Sequence, residues 1–266
     1  MFGILSSPVL EDSLIGRVGG GFALACGAVN LRALIQGLSN EKEGSKVARQ
    51  DLNFITYAAQ LTAFVVASLS SNEGFSYFSG SFAIFWITIL AVMAVGYGLI
   101  VRNNWTSMRG PMSKAAFNSD LEDKIEAFNG ILFFIYGPGL YLTGSLHLGL
   151  MQSIMPHIMD CFGLLELSEA SKVFNYSLET VAAGCFGMGM AAINFYVLCG
   201  PDEFPEVGET RRFADIMFWA GQIVVFVNYP ETGSFYTFWV ALSVILVIYL
   251  TRKNGSNAGE GYRSLV

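Results

Sequence analysis

The chain reads as an all-α, polytopic membrane protein of about seven transmembrane helices in a parallel 3+1+3 internal repeat. Three observations lead there. Hydrophobic residues make up 53% of its 266 positions and Asp, Glu, Lys and Arg only 14%, with a mean hydropathy of +0.50. A soluble domain carries roughly 25% charged residues, so this chain lacks the polar surface to stay in water. The heptapeptide pattern GSFxxFW occurs twice, as residues 80–86 (GSFAIFW) and 233–239 (GSFYTFW), each time at the mouth of an apolar run. The fifteen Lys and Arg residues also fall mostly on one side of the bilayer once the apolar runs are counted as crossings.

A crossing of roughly 30 Å of hydrocarbon needs about 17–25 mostly apolar residues. Seven windows qualify in order: 18–36, 54–70, 82–101, 127–150, 178–199, 213–229 and 234–250. The stretch 151–171, with Pro156, His157, Asp160, Glu166 and Glu169, is too polar for an eighth crossing and reads as an interfacial helix and loop. The whole chain, 1–266, is thus a single membrane domain. Its parts are a first three-helix repeat over 16–101, a linking helix and interfacial segment over 127–171, and a second three-helix repeat over 178–251. Gly137-Pro138-Gly139 should break or kink span four, because proline lacks the N–H that the helix ladder needs.

With seven crossings one side holds Lys42, Lys46, Arg49, Arg102, Arg109, Lys114, Lys124, Arg211, Arg212, Arg252, Lys253 and Arg263. The other holds Arg17 and Lys172, and Arg32 sits inside span one. The positive-inside bias predicts that the rich side is cytoplasmic or its organellar equivalent, which puts the N-terminus outside or lumenal and the C-terminus inside. The opening MFGILSSPVLED carries neither the basic region of a signal peptide nor an Arg-rich transit sequence, so insertion is expected to rely on span one.

Aligning Trp86 with Trp239 also matches Phe82 with Phe235 and Phe85 with Phe238. Upstream, Gln60 aligns with Gln222 at an offset of 162, and Asn30 with Asn194 at an offset of 164. Three spans recur in order, with span four between them, so the copies share one orientation. Transporters built from such repeats place the solute site at the repeat interface near the midplane. Intramembrane amides normally face a partner or a polar cavity. Asn30, Gln60, Asn194 and Gln222 therefore form either a polar ring on a solute path or ordinary interhelical hydrogen bonds. Phe82, Phe85 and Trp86, with Phe235, Phe238 and Trp239, form either an apolar constriction or part of an interfacial aromatic belt. Glu126 and Glu179 stand at span entrances, while Asp215, just inside span six, is the candidate for proton coupling. Gly19-Gly20-Gly21 in span one and Gly184, Gly187 and Gly189 in span five suit close helix packing.

Other chemistry is excluded or unsupported. The net charge of −6 and the absence of a basic stripe argue against nucleic acid. Cys26, Cys161, Cys185 and Cys199 form no CxxC pair, and two histidines, His147 and His157, are too few for a His-based metal site. Span seven has no lysine for a retinal Schiff base, and no nucleotide or hydrolase motif is present. No enzyme activity, cofactor or metal is expected.

The run Ala58-Ala59-Gln60-Leu61, then Asn72, then Ser81-Phe82-Ala83-Ile84-Phe85-Trp86, resembles the second and third spans of the acetate/succinate transporter family. The resemblance covers about 40 residues, and Gln60, Asn72, Phe85 and Trp86 match its motif. The family's NPxPxGL signature is absent before span one, and its members look like six-span proteins. The resemblance implies a channel or proton-coupled carrier of small monocarboxylates that assembles as a homo-oligomer. The three-one-three plan is also similar to that of the SWEET sugar transporters, without their Pro-Gln loop and proline tetrad. The leading expectation is an integral membrane transporter or channel for a small solute, with a monocarboxylate such as acetate foremost. The alternative is a non-catalytic accessory subunit of a larger respiratory or photosynthetic complex, binding lipid or pigment. Expected partners are membrane lipid, the solute, and either further copies of the chain or other membrane subunits.

Overall fold

The computed structural model describes residues 14–69, 80–107, 121–146, 157, 178–199, 205–228 and 233–263. Among the described residues there are seven long helices and no strand: α1 (Leu14–Gln36), α2 (Glu43–Leu69), α3 (Gly80–Ser107), α4 (Leu121–Leu146), α5 (Leu178–Cys199), α6 (Pro205–Val227) and α7 (Ser234–Arg263). The expected interfacial segment, Asn72 and the side chain of Phe82 lie outside the described residues, His157 apart, which is exposed.

Among the described residues four helices are long and apolar enough to cross a membrane: Gly16–Gln36 in α1, Ala83–Arg102 in α3, Lys124–Leu142 in α4 and Ser234–Lys253 in α7. The apolar stretch of α5, Thr180–Phe195, is shorter. Helices α2 and α6 differ for a common reason, since both carry charged residues through their first turns, Glu43 to Asp51 and Glu206 to Asp215. Glu43 and Glu206 stand in the first turns, where the exposed N–H groups favour negative charge. The architecture is that of a helical bundle compatible with an integral membrane location.

Helix α1 ends at Gly37, whose φ of +80° suits glycine. Its N–H bonds the Leu34 carbonyl at 3.2 Å, and its own carbonyl accepts from Asn40 N–H at 2.8 Å. Contacts fix the directions of the helices. Helix α1 runs beside α6 in the opposite sense: Arg17 donates to the Asn228 carbonyl at 3.4 Å at one end, and the Arg32 guanidinium lies 5.0 Å over the Phe213 ring at the other. Helix α2 opposes α5, with Ala59 and Ala63 packed on Val181 and Cys185. It also opposes α3, where Tyr57 stacks on Tyr97 at 5.7 Å. Helix α6 opposes α7 through Phe226 and Phe235 at 6.2 Å. Helices α1 and α5 run in the same sense, with Gly19 against Ala183 and Phe22 against Gly187.

The core lies where α1, α4, α6 and α7 converge. Phe22 packs 4.4 Å from Phe218 and 6.2 Å from Phe133, with Trp219 and Trp239 beyond. Helix α4 lies closest to α5. A Cβ at Gly184 would meet the Tyr141 backbone at 2.5 Å, and one at Gly187 would meet the Gly137 Cα at 2.8 Å. Pro138 does not end α4, which continues to Leu146. Small residues on both helices let the backbones approach there, and neighbouring helices are what make an intramembrane proline tolerable. Helix α3 packs chiefly on α2, leaving Ile84, Val92, Val95 and Leu99 exposed on its outer side.

Candidate functional site

Charges at the start of α6 and amides near the ends of its neighbours build one buried polar network. Asp215, fully buried, accepts from Asn194 Nδ2 on α5 at 2.8 Å and from Asn129 Nδ2 on α4 at 2.9 Å. The Asn129 carbonyl accepts in turn from Trp219 Nε1 at 2.7 Å. Arg211, one turn before Asp215, points one guanidinium nitrogen at its Oδ2 at 3.5 Å and another at Glu126 Oε2. Arg212 reaches Glu126 Oε1 at 3.4 Å, and Lys253 from α7 reaches the same oxygen at 3.5 Å. The amphipathic start of α6 produces this arrangement, because its charges must turn inward against α4 and α7 once its apolar half joins the core. A buried ion pair persists only when further hydrogen bonds satisfy the remaining atoms, and Asn129 and Asn194 supply them.

A smaller network stands between α1, α2 and α3. Asn30 and Asn53 exchange hydrogen bonds of 2.9 and 2.8 Å, and Asn53 Nδ2 lies 3.1 Å from the Tyr97 hydroxyl. Asn53 precedes Asp215 by 162 residues, the offset that aligns Gln60 with Gln222, and Arg49 precedes Arg211 by the same 162. Arg49, at the charged start of α2, pairs with both oxygens of Glu41 at 2.9 and 2.7 Å. Hydrogen bonding to Glu41 holds its guanidinium above the ordinary pKa.

The four amides singled out by the sequence do not close one ring. Asn30 turns to Asn53 and Asn194 to Asp215. Gln222, buried, donates to the Val18 carbonyl at 3.4 Å and fills the space left by the missing side chain at Gly21. Gln60 remains half-buried on α2. The aromatic sets part company as well. Phe235 and Trp239 are buried, with Trp239 stacked 6.4 Å from Trp219 and 6.1 Å from Phe226. Phe85, Trp86 and Phe238 are 57%, 36% and 41% exposed, so they face outward from the chain. Of the ten path residues and the coupling candidate, Asp215 and Asn194 join the charged cluster. Asn53, Asn129, Arg211, Arg212, Trp219 and Lys253 were not singled out for a site by the sequence reading. For Asn53 and Arg211 the repeat offset was a usable signal; for Asn129 nothing beyond its spacing of three from Glu126 was.

The ends of the helices carrying these groups are held together. Lys42 at the start of α2 lies 4.0 Å from Glu209 at the start of α6. Among the described residues no group of three or more His, Cys, Asp and Glu could hold a metal ion. No family model, curated protein or solved structure matches the chain.

Proposed function

We propose that the chain is a seven-span integral membrane carrier or channel for a small solute, foremost a small monocarboxylate, with no enzymatic activity. The observation that carries this reading is the buried Asp215–Arg211–Glu126 network, tied by Asn129 and Asn194, in a bundle of otherwise apolar helices. Asp215 lies just inside span six, and an ionisable group within a span is costly and marks a solute or ion path by default. Asp215 is the coupling residue in this scheme.

The helix contacts support the 3+1+3 repeat. Helix α2 pairs with α3 as α6 pairs with α7, and α1 packs on α6 as α5 packs on α2. Gly19 and Ala183, equivalent at the offset of 164, touch between the like-directed α1 and α5. A pseudo-twofold axis along the bilayer normal would pass there. The network joins the starts of α4 and α6 to the ends of α5 and α7, on the side that the basic residues assign to the cytoplasm or its equivalent.

The test is uptake of radiolabelled acetate into liposomes containing the purified chain, compared with Asp215→Asn and with Gln60→Leu/Gln222→Leu. The carrier reading expects uptake above empty liposomes that Asp215→Asn reduces at least tenfold while the protein stays folded. Wild-type uptake equal to that of empty liposomes would remove it. A second reading, an accessory subunit covered by lipid, pigment or other subunits, draws on the outward face of α3 with Phe85 and Trp86. The mass of the native complex in mild detergent decides between a homo-oligomer and a component of something larger.

A further inference from the structure

We propose that Arg32, at the seam between α1 and α6, binds the headgroup of an anionic phospholipid in the leaflet that the basic residues face. The site rests on the membrane location and orientation proposed above and is independent of transport.

The position of the charge argues first. Arg32 belongs to the membrane-crossing stretch Gly16–Gln36, where a guanidinium is costly unless it meets a counter-charge or reaches the interface. Gln36 lies about 6 Å further along the helix, a distance that the arginine stem covers by extending toward the headgroups. The neighbour of the guanidinium is aromatic, the Phe213 ring on α6 at 5.0 Å. That contact favours the charge but supplies no oxygen. Among the described residues Arg32 makes no ion pair, whereas Arg49, Arg211 and Arg212 each meet a carboxylate. Glu209, one turn before Phe213 on α6, is engaged by Lys42. The N–H donors of Arg32 thus face an oxygen acceptor from outside the chain, and phosphate is an anion that a guanidinium grips with two parallel hydrogen bonds.

The surroundings suit the rest of a lipid. On α1, Arg32 stands between a buried edge, Val29 and Ala33, and an exposed one, Leu31 and Ile35. Along the same seam a Cβ at Gly221 would meet Leu24 Cδ2 at 3.4 Å, and both Leu24 and Val224 are exposed. Leu24 lies about 12 Å from Arg32 along the helix, within the roughly 15 Å of hydrocarbon that one leaflet contributes. One end of the seam therefore offers a cation near headgroup level, and the rest offers an apolar track for an acyl chain. Charge complementarity selects an anionic lipid, and the cytoplasmic leaflet is where such lipids collect.

The full chain is purified in mild detergent and melted with added phosphatidylglycerol or phosphatidylcholine at equal mole fraction. Phosphatidylglycerol should raise the Tm above the phosphatidylcholine value by roughly 3–6 °C at about ten times its dissociation constant. Arg32→Gln should lose that difference. Arg252→Gln, which removes an exposed charge near the membrane end of α7, should keep it. Inorganic phosphate at the same concentration should not reproduce the rise. Equal responses to the two lipids, a full response in Arg32→Gln, or an equal rise with inorganic phosphate would each overturn the site. Should Arg32→Gln not purify, the wild type is loaded with both lipids and the retained molecules are counted by native mass spectrometry. Preferential retention of phosphatidylglycerol supports the site, and equal retention overturns it. A chain that stays monodisperse without detergent would remove the membrane reading itself, whereas acetate uptake without lipid selectivity removes the site alone.

Discussion

Asn194 donates to Asp215 at 2.8 Å at the place where, 164 and 162 residues earlier, Asn30 and Asn53 exchange two hydrogen bonds. One exchange, Asn for Asp, converts a neutral amide pair into the centre of an ionised network. In both cases the first and second helices of a proposed triplet meet through this polar pair. The two joints therefore stand at matching sequence offsets and differ in charge.

The joint can be converted. Asp215→Asn allows the new amide to donate to Asn194 Oδ1, which is buried without a partner, and so reproduces the Asn30–Asn53 exchange. It also loses the acceptor that Asn129 Nδ2 uses. The same oxygen accepts from Arg211 at 3.5 Å, so one hydrogen bond gained against two lost predicts a loss of about 1–3 kcal/mol. Asp215→Leu leaves Arg211 and both amides without that acceptor and should cost about 3–5 kcal/mol. Thermal melting of the two variants in one detergent checks the order, and equal losses would contradict it.

The Asn30–Asn53 pair has a measurable worth. A double-mutant cycle with Asn30→Ala and Asn53→Ala should give a coupling of about 0.6 kcal/mol, and no more than about 1.7 kcal/mol, as for other interhelical hydrogen bonds in membranes. A coupling near zero would mean that the observed exchange adds nothing over lipid or water partners.

Much of the fold was legible because its signals are local. Apolar length located α1, α3, α4 and α7, and glycine patterns in α1 and α5 marked close approach. The joint was half legible: Asn30 and Asn194 stood out as amides in apolar runs, whereas Asn53 and Arg49 hid among the charges that open α2. Their meaning depended on which way those charges turn, and that is decided by α3 and α5 packing on α2. The aromatic repeat misleads for a related reason. GSFxxFW is the same in both copies, but α4, which occurs once, packs on α7 through Tyr136 and Trp239, 5.6 Å apart. Trp86, at the matching place on α3, is 36% exposed. Burial of identical motifs thus diverges where α4 adds Tyr136 against Trp239.

That difference makes the tryptophans unequal. Trp239→Ala removes a ring stacked between Trp219 and Phe226 and should cost about 3–5 kcal/mol. Trp86→Ala, on a half-open surface, should cost less than about 1 kcal/mol in the purified protein. Melting temperatures of the two variants test the ranking directly. A large loss at Trp86 would indicate that the outer face of α3 is covered in the purified protein.

The glycines give the sharpest contrast between equivalent positions. Gly20 on α1 and Gly184 on α5 match at the offset of 164. A Cβ at Gly184 would meet the Cα and N of Tyr141 at 2.5 Å, backbone atoms that can retreat only if α4 moves as a unit. A Cβ at Gly20 would meet nothing within 4 Å. Gly184→Leu should therefore separate α4 from α5 and prevent recovery of folded monodisperse protein, since the overpacking exceeds the roughly 1–3 kcal/mol that side-chain rearrangement absorbs. Gly20→Leu gains helix propensity of about 1 kcal/mol at an exposed position with open space around its Cβ, so it should melt at or above the wild-type temperature. The discriminating measurement is the monodisperse yield and Tm of the two variants from one expression host and detergent. Similar losses at both sites would mean that the open stripe on α1 is occupied in the purified protein. Tolerance at both would mean that α4 does not lie against α5 at the observed distance.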